Sequence, residues 1–317
     1  MTLLYHDPRF LEHKTGAHPE RPERLIQVVR HLERTGLAGR CGRPAWQPVS
    51  LAQLGRIHSL DYAAAVKAYA EAGGGRIEED TVVSPGSYDV ALLAAGAVCD
   101  AVRRVVAGED SSALCLVRPP GHHALDDAAM GFCLFNNVAI GARLATAELG
   151  LDRVLIVDWD VHHGNGTQAA FWRDGQIGFL SIHRWPFYPG SGQADETGAG
   201  PALGTKLNLP IEMGTPRRRY LDVFRAQLEW LAAKIQPQLV IVSAGFDSHR
   251  DDPIGSLGLE TEDFVPLSEA VLDVARESAG GKIVSVLEGG YNTGVRAGCV
   301  EAHLQTLLEK SPRPGEA

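Results

Sequence analysis

The chain has 317 residues, 44% of them apolar, which is enough for one large core or two smaller ones. Its formal charge of −9 argues against general nucleic-acid binding and suits a cationic substrate or partner. Five cysteines (Cys41, Cys99, Cys115, Cys133, Cys299) form no Cys-x-x-Cys pair, and neither a signal-peptide core at Met1–Asp7 nor a membrane-length apolar run is found, so a soluble cytoplasmic protein with reduced thiols is expected.

In chain order, a polar loop over His13–Glu20 precedes Arg21-Pro22-Glu23-Arg24. Proline there fits a first helical turn, and the helix is expected to run to about Leu37. Alanine-rich stretches predict helices over His58–Glu71 and Tyr88–Val106. Between them Gly73-Gly74-Gly75 reads as a flexible loop, because no strand precedes it to make a phosphate cradle. Ala113–Val117 is a short apolar strand that ends in Arg118-Pro119-Pro120-Gly121-His122-His123, and Phe132–Leu149 reads as a helix.

The most informative stretch follows. Val154-Leu155-Ile156-Val157 has the pattern of a strand buried on both faces, and it breaks into Asp158-Trp159-Asp160-Val161-His162-His163-Gly164-Asn165-Gly166. Ligands in open α/β sheets bind beyond the carboxyl ends of strands. Alternation along an extended chain puts Asp158, Asp160 and His162 on one side. Further strands are expected at Ile177–Ile182, Gln238–Ser243 and Ile283–Leu287, ending at His183, at Gly245-Phe246-Asp247 and at Glu288-Gly289-Gly290-Tyr291. Helices are expected over Tyr220–Ile235 and about Glu262–Ser278, a surface loop over 191–204, and a frayed tail over 311–317. This alternation, without linker or repeat, predicts a single α/β domain with a mainly parallel sheet and helices on both faces.

Asp160, His162 and Asp247 can supply two oxygens and a nitrogen to a divalent ion, leaving positions open for water and substrate as in catalytic sites. Zn²⁺, Fe²⁺ and Co²⁺ all suit such ligands. His122 and His123 are candidates for base and acid, with Asp158 and Asn165 available to orient them. Tyr291, after two glycines, is placed to hydrogen-bond a developing oxyanion.

These motifs, with Gly131-Phe132-Cys133-Leu134-Phe135-Asn136-Asn137 and His18-Pro19-Glu20-Arg21-Pro22, resemble the histone deacetylase superfamily over about residues 5–305. The resemblance implies the arginase-deacetylase fold, with a mainly parallel sheet of eight strands. It implies zinc on Asp160, His162 and Asp247, and His123 as general base and acid paired to Asn165. It pairs His122 with Asp158 and gives Tyr291 the substrate carbonyl. Asp80, Gly131, Phe132, Tyr188, Ile254 and Gly289 are implied as substrate contacts, Ile254 at the tunnel mouth. A structural potassium is implied on Asp158, Asp160, His162, Ser181 and Ile182, and a second one near Phe171, Asp174 and Ile177. Asn165 and Glu288-Gly289-Gly290 look like the class II branch, while Tyr188 departs from the usual phenylalanine.

The expected activity is removal of acetyl groups from acetyl-lysine side chains of peptides or proteins. Small acetylated amines such as acetylpolyamines are the alternative, and a non-catalytic acyl-lysine binding module is a remote one. Residues 6–20 carry no long insertion of the kind that narrows polyamine-specific sites. An arginase-like site with two manganese ions would need more carboxylates than Asp160-Val161-His162-His163-Gly164 and Asp247-Ser248-His249 provide. Neither nucleic acid nor membrane is expected as a partner.

Overall fold

Short runs of apolar residues build the sheet. The computed structural model describes residues 1–312 and contains nine strands: β1 (Thr2–Tyr5), β2 (Gly75–Arg76), β3 (Val82–Val83), β4 (Ser112–Cys115), β5 (Val154–Asp158), β6 (Ile177–Arg184), β7 (Lys206–Ile211), β8 (Leu239–Ala244) and β9 (Ile283–Leu287). Seven of them form one sheet in the order β1-β4-β9-β8-β5-β6-β7, with every neighbouring pair parallel. β2 and β3 make a separate antiparallel ribbon that contains Gly75 of the glycine triplet. A sheet covered on both faces has no use for polar alternation. Val154, Leu155, Ile156 and Val157 are accordingly all fully buried. Helices at Glu23–Arg34, Leu60–Glu71, Ser87–Val106, Asn137–Glu148, Arg217–Ile235, Phe264–Ser278 and Thr293–Lys310 flank the sheet.

The main sheet therefore has seven strands and not the eight expected. Beyond β1 the described residues make only a single bridge, Leu3 to Gly42, with Gly42 bonded to both Thr2 and Leu4. Pro44 and Pro48 follow, and proline cannot donate to a ladder, so no further strand grows on that edge.

Other boundaries shift for local reasons. The helix expected from Phe132 begins at Asn137, because Gly131 (φ +55°) and Phe132 (φ +70°) are left-handed and the Asn136 side chain caps the Ala139 amide at 3.0 Å. β1, β7 and the helices Asn165–Ala170 and Thr293–Lys310 were not foreseen. Of the expected tail, Ser311 and Pro312 are anchored, the Pro312 carbonyl accepting the Ser111 hydroxyl at 2.5 Å. Residues 313–317 lie outside the described part.

The topology determines where a site can form. The chain lays down β1 and β4, steps across to build β5, β6 and β7 outward, then returns to fill the gap with β8 and β9. Four adjacent strands, β4-β9-β8-β5, thus bring their carboxyl ends together from segments far apart in sequence.

Candidate active site

Each of those four strands ends in a chemically active loop. The loop after β4 carries His122 and His123, β5 ends at Asp158 with Asp160 and His162 beyond it, Asp247 follows β8, and Glu288 to Tyr291 follow β9. Asp158, Asp160, Asp247 and Glu288 are all fully buried.

Asp160, His162 and Asp247 converge, each offering a donor atom within 4.8 Å of the others. His162 Nδ1 lies 3.0 Å from Asp160 Oδ1 and 3.3 Å from Asp247 Oδ2. Asp247 Oδ2 is buried without a hydrogen-bond donor. Burial and the nearby Asp160 carboxylate push Asp247 up to about 7. An uncompensated oxygen among buried like charges is a place for a cation, and two carboxylates with one imidazole fit a divalent metal. Gly289 lies against the same group, its amide donating to Asp160 Oδ2 at 2.8 Å. A β-carbon there would collide with both ligand carboxylates, so Gly289 belongs to the ligand cluster as well as to the expected substrate wall.

The two histidines occupy opposite electrostatic environments although their rings are 4.0 Å apart. His122 Nδ1 donates to Asp158 Oδ2 at 3.0 Å. Burial alone would lower its pKa, but Asp158 and Asp160 outweigh that and hold it up to about 10. His123 Nδ1 faces Asn165 Oδ1 at 2.6 Å. The Asn165 amide nitrogen points to Met130 Sδ at 3.3 Å, which fixes the orientation of the amide. An amide oxygen only accepts, so Nδ1 of His123 carries the hydrogen and Nε2 presents a lone pair. Burial and the adjacent His122 hold His123 well below the usual imidazole range.

Aromatic rings surround this centre. Tyr188 meets His123 edge-on at 5.3 Å, Phe187 stacks on His162 at 5.2 Å, and Phe132 meets Tyr291 edge-on at 5.5 Å. The Arg24 guanidinium lies 4.7 Å over the Tyr291 ring. Burial keeps the Tyr291 hydroxyl well above its ordinary pKa, and therefore a donor. The Asp80 carboxylate accepts from Thr81 Oγ1 at 3.0 Å, and the same hydroxyl accepts the Phe132 amide at 3.0 Å. Asp158 and Ser181 are partners in the β5–β6 register, and Ile182 follows on β6. The structure thus brings Asp160, His162 and Asp247 together, sets His122 on Asp158 and His123 on Asn165, and joins Asp80 to Phe132 through Thr81, while the Ser181 hydroxyl pairs with His183 Nδ1 at 2.9 Å.

Three supporting residues went unrecognised. Glu288 Oε2 accepts the Gly121 and His122 amides at 2.7 and 3.3 Å, holding the histidine loop. Asp252 is a four-bond clamp: Oδ1 takes the Ile254 and Gly255 amides at 2.9 and 3.0 Å, and Oδ2 takes those of Tyr291 and Asn292 at 2.6 and 3.2 Å. Arg184 donates to the Gly255 carbonyl at 2.9 Å and lies 4.2 Å over the Phe187 ring. Only position hinted at these roles, since Asp252 sits two residues from Ile254 and Arg184 follows a strand-end histidine.

The fold and site define a hydrolase acting on amide bonds. The match to the family described as histone deacetylase domain runs over residues 18–307, and the chain belongs to that family. It is 38% identical over 293 residues to a histone deacetylase-like amidohydrolase of Pseudomonas aeruginosa, covering 92% of this chain and 77% of that one. It is 40% identical over 323 residues to the human polyamine deacetylase HDAC10, covering 96% of this chain and 48% of that longer protein. The crystal structure of the HDA15 HD domain matches with a TM-score of 0.92 at 36% identity, over 98% of this chain and 90% of that one. No helix among the described residues is long and apolar enough to cross a membrane.

Asp252→Asn should lower stability by about 1–3 kcal/mol, because an amide NH₂ would face backbone N–H groups it cannot accept. Thermal denaturation beside wild type checks this, and an unchanged melting temperature would mean that the clamp contributes nothing.

Proposed function

We propose that the protein is a zinc-dependent deacetylase of N-acetyl-lysine side chains. The observation that carries the reading is the pairing of a neutral, tautomer-fixed His123 with a buried two-carboxylate, one-imidazole cluster. Asp160, His162 and Asp247 would hold the divalent ion, with Fe²⁺ and Co²⁺ as chemical alternatives. When bound, that ion would polarise the amide carbonyl and acidify water. His123 Nε2 takes the proton from the attacking water and returns it to the leaving amine. His122, held charged by Asp158, stabilises negative charge building up beside it. The Tyr291 hydroxyl donates to the developing oxyanion. Gly131, Phe132, Tyr188 and Gly289 line the path of the acyl-lysine stem, and Asp80 takes the substrate backbone. A structural potassium on Asp158, Asp160, His162, Ser181 and Ile182 belongs to the same reading, as does a cytoplasmic location, which five free cysteines favour.

Dialysis against a chelator should abolish hydrolysis of an acetyl-lysine peptide, and Zn²⁺ or Co²⁺ should restore it. Full turnover by metal-free protein would sink the reading. Tyr291→Phe should retain metal and melting temperature while kcat falls roughly 10²- to 10³-fold, the usual loss for one oxyanion donor. Unchanged kcat would reduce Tyr291 to a packing residue.

A second substrate class, small acetylated amines, is favoured by the likeness to a protein named polyamine deacetylase. Ile254 weighs the other way. It is half-buried on the loop that Asp252 holds against Tyr291, and it offers no carboxylate to a distal ammonium. Ile254→Glu should therefore raise kcat/KM for N8-acetylspermidine relative to a neutral acetyl-lysine peptide. The gain should be several-fold, since an exposed ion pair contributes only about 0.2–1 kcal/mol, and it should shrink at high salt. An unchanged ratio would place Ile254 away from the substrate.

A further inference from the structure

The resemblance implies a second potassium near Phe171, Asp174 and Ile177, a segment that runs from the end of the short helix Asn165–Ala170 into the start of β6. The residues present do not fit an added ion there. Lys206, the first residue of β7, is 1% exposed, and its ammonium lies against two carbonyls of that segment, those of Asp174 and Ile177. Nζ donates to the Ile177 carbonyl at 2.5 Å, the Thr205 hydroxyl at 3.0 Å and the Asp174 carbonyl at 3.1 Å. An ammonium has three N–H donors and no acceptor, so all three are spent on this oxygen set. The Asp174 carboxylate is engaged elsewhere, 2.7 Å from Arg143, and so the cage offers Lys206 neutral oxygens as a potassium site would.

A buried ammonium without a carboxylate partner is costly, and it persists only where several oxygens solvate it. Burial lowers the Lys206 pKa to about 8, partly offset by Asp174, so the side chain is still mostly charged at neutral pH. Potassium and ammonium carry the same charge at similar size, which is why the same oxygens serve either. The arrangement joins the segment ahead of β6 to the edge strand β7, whose Lys206 pairs with Phe179 in the ladder.

We propose that Lys206 is a built-in monovalent cation, its ammonium filling the oxygen cage in place of a second potassium ion. The chain then needs no ion at this corner of the sheet, whatever its substrate. Crystals of the wild-type protein soaked in thallous acetate provide the direct test. No anomalous peak should appear among the Asp174, Ile177 and Thr205 oxygens. A peak there, with Lys206 swung aside, overturns the proposal. Lys206→Ala should open the cage and give a thallium peak at those oxygens. Its melting temperature should also rise more in potassium chloride than in choline chloride of equal ionic strength, by a larger margin than wild type. Lys206→Met, with an apolar tip in the cage, should lose stability that potassium does not restore. A Lys206→Ala protein that folds, shows no peak and responds to potassium no more than wild type also overturns it. If Lys206→Ala fails to fold, the wild-type soak decides alone, and deacetylase activity enters none of these readouts.

Discussion

Four carboxylates held out of water at the carboxyl ends of neighbouring strands are the constraint on which the site depends. Asp158, Asp160, Asp247 and Glu288 are fully buried, and an unpaired buried carboxylate costs several kcal/mol. The fold answers with backbone amides. Asp158 takes the Asp160 amide at 3.0 Å, Asp160 takes those of His162 and Gly289 at 2.9 and 2.8 Å, and Asp247 takes that of Val161 at 2.9 Å. Each carboxylate thereby shapes the loop that follows its own strand or a neighbour's. The geometry of the loops and the charge of the site are one arrangement, and the amides leave Asp247 Oδ2 over for a cation.

A second charged layer supports the first. Arg24 and Arg118 are buried against one carboxylate, Glu20, and the buried Arg296 donates to the Gly290 carbonyl at 3.0 Å. Arg118 grips Glu20 through two bonds of 2.6 and 2.7 Å, and Arg24 reaches it at 3.0 Å. Arg24 also donates to the Gly290 carbonyl at 2.9 Å and to the Glu288 carbonyl. Bidentate guanidinium–carboxylate pairing fixes direction as well as charge. Arg24 thus holds the Glu288 and Gly290 carbonyls ahead of Tyr291, while Asp252 holds the amides of Tyr291 and Asn292. Tyr291 is gripped at its amide by one clamp and covered on its ring face by the other.

The readable part of this protein was the part in which chemistry and secondary structure coincide. β5, β8 and β9 were visible because branched apolar runs stop abruptly, and Asp160, His162, Asp247 and Tyr291 were visible because they stand just past those stops. β7 was hidden because its two atypical residues, the buried Lys206 and Pro210, break the strand pattern, and Lys206 is buried only because distant carbonyls solvate it. The absent eighth strand follows from prolines beyond Gly42 whose relation to β1 is set by tertiary contact. Asp252 and Glu288 act on backbone amides, and a sequence does not say which amide a carboxylate will meet. Long-range polar bonds of this kind are invisible to period and propensity.

The division of labour between the two adjacent histidines turns on one atom. Both rings are buried in the same loop, so burial pushes both towards the neutral form. His122 has a carboxylate on Nδ1 and another 3.8 Å from Nε2, and it is held charged. His123 has a carboxamide on Nδ1, which orients the ring as a carboxylate would but adds no full negative charge. Two imidazolium rings 4.0 Å apart would repel strongly in a buried site, so only one of them can carry charge at rest. The choice of asparagine at 165 settles which one. His123 therefore starts neutral with its lone pair free, and His122 supplies standing positive charge. A carboxylate at 165 would keep the ring orientation but raise the affinity of His123 for a proton, against the repulsion of the charged His122 beside it.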